Sequence, residues 1–312
     1  PRGENAGTEL ALDPTMPTLT QRLRRRLDRD AHRPLLPPRP TRGRVARRVL
    51  PAPLFDAAMR AELDDLGHGF DAFGASREGV AMAMVITRFL YERYFRVSSY
   101  DIDRVPAEGP VVLAANHSGM LPLDGMMIWN DVVRRRGRVP RVIMDHFVPD
   151  LPFVSSLFTG AGGIGGSRGN FHAVLSRGGM ILVFPEGTRG IGKGWAKRYQ
   201  LERFTEGHAE LAIRHQAPIV PIGVVGAEEQ WPQVGRIDVS AFGAPYLPIP
   251  ATPVPLPTHY HLHYGDPIPV AGRFAPADAQ DADAVATLAG EVKAAVHDLL
   301  QAGLAQRPGI FA

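Results

Sequence analysis

The apolar pattern changes character twice along the chain. Residues 1–50 show no periodic apolar face, and the prolines of "HRPLLPPRPTRGR" (32–44) remove backbone donors and clash with a helical turn. That pattern predicts a flexible Arg/Pro-rich segment over 1–50. A short helix is expected around 54–66, and a longer one over 76–97, "SREGVAMAMVITRFLYERYFRV", with Ser76 placed to cap it and Glu78 in its first turn. Its apolar positions Val80, Met84, Phe89, Tyr91 and Phe95 are too broad for one stripe. A core helix and a helix lying on a membrane surface both fit.

From about residue 100 the pattern becomes strand–helix alternation. "PVVLAA" (110–115), "RVIM" (141–144), "MILVFP" (180–185) and "PIVPIGVVG" (218–226) are short β-branched runs bounded by Pro, Gly or charge, and "HYHLHYG" (259–265) alternates like an edge strand. Helices are expected between and after them at 122–137, 168–177, 203–215 and 280–303. Buried strands alternating with helices predict an α/β fold, a mixed, mostly parallel sheet flanked by helices. Ligands of such sheets sit beyond the strand C-termini. The implied organisation is a flexible segment (1–50), an N-terminal helical segment (51–97) and an α/β domain (98–312).

Composition narrows the chemistry. The 312 residues are 45% hydrophobic and contain no cysteine, which excludes disulfides, thiol catalysis and cysteine-ligated metals. Eleven arginines between 22 and 48 face only Asp28 and Asp30, whereas the whole chain carries a net +3, so the basic character belongs to the N-terminal segment. A solvated tail or attraction to anionic lipid headgroups accounts for it. Nucleic acid is disfavoured because the stretch lacks interleaved aromatics. The apolar helical run 79–87 is less than half of the ~20 residues a membrane span needs, and no signal peptide is recognisable.

Two patterns in "GAGGIGGSRG" (160–169) compete for attention. Gly160, Gly162 and Gly165 spell a dinucleotide-binding fingerprint, which requires a preceding strand that "FVSSLFT" supplies only doubtfully. Ser167, between Gly165 and Gly169, resembles the nucleophile of a lipid esterase, with His117 and Asp124 as partners in an order unlike that of α/β-hydrolases. His117 follows the strand 110–115, and Asp124 falls in the first turn of the next helix. Asp124 either meets the helix dipole or fixes one imidazole nitrogen and leaves the other as a base. In "VFPEGTRG" (183–190), Arg189 offers a planar fork for a phosphate or carboxylate, and Glu186 orients it or contacts a hydroxyl; a structural Glu–Arg pair is the alternative.

Taken together, "VPAEGPVVLAANHS", "GGIGGSRGN", "VFPEGTRG" and "APIVPIGVVGAEE" occur in the order and spacing of the four blocks of the glycerolipid (lysophosphatidate acyltransferase-like) acyltransferases. The chain resembles this superfamily over about 97–270, most closely its monoacylglycerol-acyltransferase-like branch. The resemblance implies an O-acyltransferase of lipid metabolism with His117 as general base and Asp124 as its partner. Arg168, Glu186, Gly187, Thr188 and Arg189 would bind the acceptor, and Pro221 would shape the site wall. The acyl donor would be acyl-CoA or acyl carrier protein, and the acceptor a lysophosphatidate, monoacylglycerol or related hydroxyl, with no metal or redox cofactor. The expected setting is the inner face of the cytoplasmic membrane, peripherally bound. A non-catalytic lipid-binding protein and the Ser167 esterase are the alternatives. The family's usual spacing is His-x4-Asp; here six residues intervene. The basic residues Lys193, Lys197, Arg198 and Arg203 either meet CoA phosphates or lipid headgroups, or form a solvated helix face.

Overall fold

The computed structural model describes residues 40–118, 122–144, 154–187, 190, 193–237 and 247–312. Helix α1 (Pro40–Val49) corrects the expectation of a flexible segment through residue 50. Pro40 stands at the first helical position, where a missing N–H costs nothing, and Ala46 and Leu50 are buried against the helices that follow. Helix α2 (Ala52–Arg60) is shorter than expected, and α3 (Arg77–Phe89) starts where the cap was read: Ser76 Oγ accepts the Gly79 N–H at 3.0 Å. One π-helical turn, Leu90–Tyr94, ends it.

Seven strands form the main sheet: β1 (Ser98–Tyr100), β2 (Val111–Ala115), β3 (Arg141–Met144), β4 (Ile164–Gly165), β5 (Met180–Val183), β6 (Ile219–Val225) and β9 (His261–Tyr264). Their order is β1-β9-β6-β2-β5-β3-β4, parallel except for β6 against β9. A separate antiparallel pair joins β7 (Gln233–Ile237) to β8 (Leu247–Pro250).

Helices α4 (Leu123–Arg136), α5 (Val154–Gly160), α6 (Arg168–Leu175), α7 (Gly207–His215) and α8 (Ala282–Gln306) complete the architecture. Alternate residues of one strand feed two cores. Val112 and Ala114 pack with α6, α7 and α8, while Val111, Leu113 and Ala115 pack with Met127, Ile128 and Val132 of α4. Both faces are covered, which is why the strands read as unbroken apolar runs. Helix α8 buries Val285, Leu288, Val292, Val296 and Leu300, each contributing about 1.5–3 kcal/mol. It lies so close to β6 that a Cβ on Gly223 would stand 2.8 Å from the Leu299 Cβ.

Two local expectations are corrected. The described part of that run, "VSSLFT", lies in helix α5 and not in a strand, which removes the element a dinucleotide fingerprint requires. Strand β9 is interior, because the three-residue β1 pairs on its outer side. The alternating histidines of β9 are covered, with His263 stacked on Tyr100 at 4.5 Å between ring centroids.

Candidate active site

The ends of β2, β5 and β6 meet at one place. As β2 leaves the sheet, the side chain of Asn116 prolongs the ladder to β6: its Oδ1 accepts the Val224 N–H (2.8 Å) and its Nδ2 donates to the Val224 carbonyl (3.1 Å). The next residue is His117. Its ring stacks on Phe184 with centroids 4.2 Å apart, and its Nδ1 lies 2.8 Å from Asp124 Oδ2.

Asp124, second residue of α4, is fully buried, and its carboxylate is fixed from three sides. Oδ2 also accepts the Ser118 N–H (3.0 Å), and Oδ1 accepts the Gly125 N–H (2.7 Å). With a carboxylate as its neighbour, Nδ1 carries the proton and Nε2 presents a lone pair. No described residue holds Nε2. The longer His–Asp spacing therefore still yields a direct contact, since the additional residues lie in the connection ahead of the helix. Small residues close the surroundings: a Cβ on Gly190 would stand 3.0 Å from the His117 carbonyl oxygen.

Glu186 has a different place from the one expected. It is 2% exposed, its Oε1 accepts the backbone N–H of His117 (3.0 Å), and its Oε2 accepts the Glu202 N–H (2.8 Å) and the Lys193 ammonium (2.8 Å). Both oxygens are engaged by the protein, and one of them holds the histidine's backbone. Lys193 is likewise neither solvated nor surface-facing: its side chain is 3% exposed between Glu186 and Glu228. Burial raises the Glu228 carboxyl above its usual range, an effect that Lys193 and the Tyr199 N–H oppose.

Gly187 follows in the left-handed region at φ 58°, which accounts for glycine there. Thr188 and Arg189 lie outside the described residues. Arg168, first residue of α6, is largely exposed and pairs with Glu210 at 3.3 Å; no described bond joins it to His117. Ser167 caps α6, its Oγ accepting the Asn170 N–H, and shares no described bond with His117 or Asp124. Pro221 is buried within β6, in register with Ala114.

Of the basic stretch, Arg198 lies over the Trp195 ring (4.7 Å) and 3.7 Å from Glu229, while Arg203 is exposed ahead of α7. The sequence alone does not single out Asn116, Phe184 or Glu228 as parts of the site, and it gives Lys193 a different role. Only Glu228 carried a usable signal, a carboxylate placed just after an apolar strand.

Two hollows lie near these elements. A cavity of about 540 Å³ opens beside Arg138, Arg141 and Met180, at the N-terminal ends of β3 and β5 and away from His117. A narrow apolar cleft lined by Ala83, Ile86, Pro122, Met126, Trp129 and Phe158 reaches the start of α4, where Asp124 sits.

Comparison with known proteins supplies a context for this geometry. Residues 96–225 match the family described as Acyltransferase. An uncharacterized protein of Mycobacterium tuberculosis is 34% identical over 74% of this chain and 68% of its own length. The "DGAT1/2-independent enzyme synthesizing storage lipids" of Bos taurus is 28% identical, over 54% of this chain and 51% of that one. The crystal structure of the 1-acyl-sn-glycerophosphate acyltransferase of Thermotoga maritima superposes with a TM-score of 0.52. It covers 75% of this chain and 83% of that chain at 16% identity, a likeness of fold.

Proposed function

The chain belongs to the glycerolipid acyltransferase superfamily and is an O-acyltransferase of the glycerolipid type, and we propose that His117 is the general base of its reaction. The observation that carries the proposal is the buried Nδ1–Asp124 contact, which leaves Nε2 as the basic nitrogen. Nε2 takes the proton of an acceptor hydroxyl while the hydroxyl oxygen attacks the carbonyl carbon of an acyl thioester. The C–O bond forms, the C–S bond breaks, and the imidazolium returns its proton to the departing thiolate. Asp124 stabilises that imidazolium, and no covalent acyl-enzyme is required. A positioned base of this kind contributes about 10²–10⁴-fold.

The donor is acyl-CoA or acyl carrier protein, and the acceptor a monoacylglycerol, lysophosphatidate or related hydroxyl, with Arg168, Gly187, Thr188 and Arg189 proposed on its side. The protein acts from the surface of a membrane, at the cytoplasmic face. Among the described residues no helix is long and apolar enough to cross one. Val45, Val49, Ile86 and Phe89 are all exposed, and Arg47 and Arg48 stand exposed on α1. Ile86 also lines the apolar cleft, which runs to Pro122 and Met126 at the start of α4. The test is release of CoA from palmitoyl-CoA, with the ester product identified by mass spectrometry. Release that depends on added monoacylglycerol or lysophosphatidate supports transfer. Release with water alone, abolished by Ser167→Ala, supports an esterase instead.

A further inference from the structure

Residues 116 and 117 are each held by a different buried carboxylate. Asn116 Nδ2 approaches Glu228 Oε1 at 3.4 Å, and the His117 N–H donates to Glu186 Oε1 at 3.0 Å. Those carboxylates come from separate elements, one after β5 and one after β6, and each also receives a backbone N–H from the segment that follows Lys193. Glu186 accepts from Glu202 (2.8 Å), and Glu228 from Tyr199 (2.7 Å). The Lys193 ammonium sits between them, 2.8 Å from Glu186 and 3.1 Å from Glu228, with its side chain and both carboxylate side chains 3% exposed or less.

Two carboxylates at this depth repel each other and lose hydration, and one cation placed between them offsets both costs. Without that cation the two would separate or one would take up a proton, and either change loosens a bond to residue 116 or 117. A substrate-binding lysine would instead turn its ammonium toward an open surface.

We propose that Lys193 is a positioning residue that sets the histidine: by joining Glu186 to Glu228 it holds the His117 backbone N–H and the Asn116 side chain together and so fixes where Nε2 points. This rests on the reading of His117 as the base, but it has a readout of its own, the hydrogen-exchange protection of the His117 amide.

The chain has no cysteine, so Lys193→Cys creates a single alkylation site. Reaction with bromoethylamine rebuilds a side chain of lysine length bearing an ammonium, and 1-iodopropane gives a neutral one of the same length. Alkylation is carried out on the denatured chain, followed by refolding. The proposal expects Lys193→Cys to lose His117 amide protection and to lower kcat roughly 10- to 100-fold, the scale of a lost hydrogen bond to a charged group. KM for palmitoyl-CoA and for the acceptor should stay unchanged, and the ammonium adduct alone should restore protection and kcat.

Full protection and kcat in folded Lys193→Cys would overturn it. So would equal rescue by the neutral adduct, or a loss confined to KM. If only the ammonium adduct folds, Glu228→Gln decides: it preserves volume but removes one acceptor oxygen. It should lower amide protection and kcat with KM intact, and unaltered values would overturn the proposal. Wild-type protein without transfer activity would count against the acyl-transfer reading alone, since the amide readout is still available.

Discussion

Two sets of histidines in the same sheet show how differently one residue type is used. His117 stands beyond the end of β2 with a carboxylate 2.8 Å from Nδ1, its ring against Phe184 and Nε2 held by no described residue. His261 and His263 lie within β9, stacked beside Tyr100, and their Nε2 atoms are buried without partners. Burial, with neighbouring His259, His263 and Arg307, pushes His261 down to about 4; burial also lowers His263. A histidine given a buried carboxylate is equipped to accept a proton during a reaction. One given rings, a tyrosine hydroxyl and covered backbone is held below its usual range and serves as packing. The residue type is shared; the neighbour decides its use.

The largest effect that would sharpen this contrast is at His117, the proposed base. His117→Ala should lower kcat by about 10²–10⁴-fold with the fold intact, measured by acceptor-dependent CoA release. Retained activity would remove His117 from the chemistry. Asp124→Asn should cost less, roughly 10- to 10³-fold, because the imidazole survives but loses the group that holds its tautomer and stabilises its charged form. The circular dichroism melt should establish that the variant is folded before the rate is read.

The β9 histidines should respond in stability. A histidine held near 4 in the folded chain and near 6.5 when unfolded binds more protons in the unfolded state. Its contribution is therefore fully present above about pH 6.5 and is lost as pH falls toward 4. The melting temperature should drop across that window, and less steeply in His261→Phe. Some slope should persist, since His208, buried and also held down to about 4, contributes with the same sign. An unchanged slope in His261→Phe would break the comparison. The smallest effect is expected on turnover: His261→Phe should leave CoA release at neutral pH at the wild-type rate.

Much of the fold was legible because the physics is local. "PVVLAA" and "PIVPIGVVG" are apolar on both alternations, and only a strand covered on both faces uses such runs, as β2 and β6 do. Ser76 announced the start of α3 through the hydrogen bond it makes three residues on. What stayed hidden depends on contacts between distant segments. Three residues at 98–100 carry no strand signal, yet they cover β9 and turn an apparent edge strand into an interior one. Pro40 reads as one more residue of the flexible segment, because a proline at a helix start and a proline in a loop are the same letter.

In the site, the sequence by itself brought the pair within reach, a histidine just past a buried strand and an aspartate in the first turn of the next helix; the structure decided between a dipole partner and a contact to Nδ1. The sequence also set the acyltransferase blocks in order. Only the tertiary structure decided the roles of Glu186 and Lys193. Glu186 lies 69 residues from His117, and its bond to that backbone exists because β5 pairs beside β2. Lys193 read as one more surface cation, since charge alone says nothing about burial. Two carboxylates delivered by the ends of β5 and β6 placed it in the interior, where an unpaired charge could not stand.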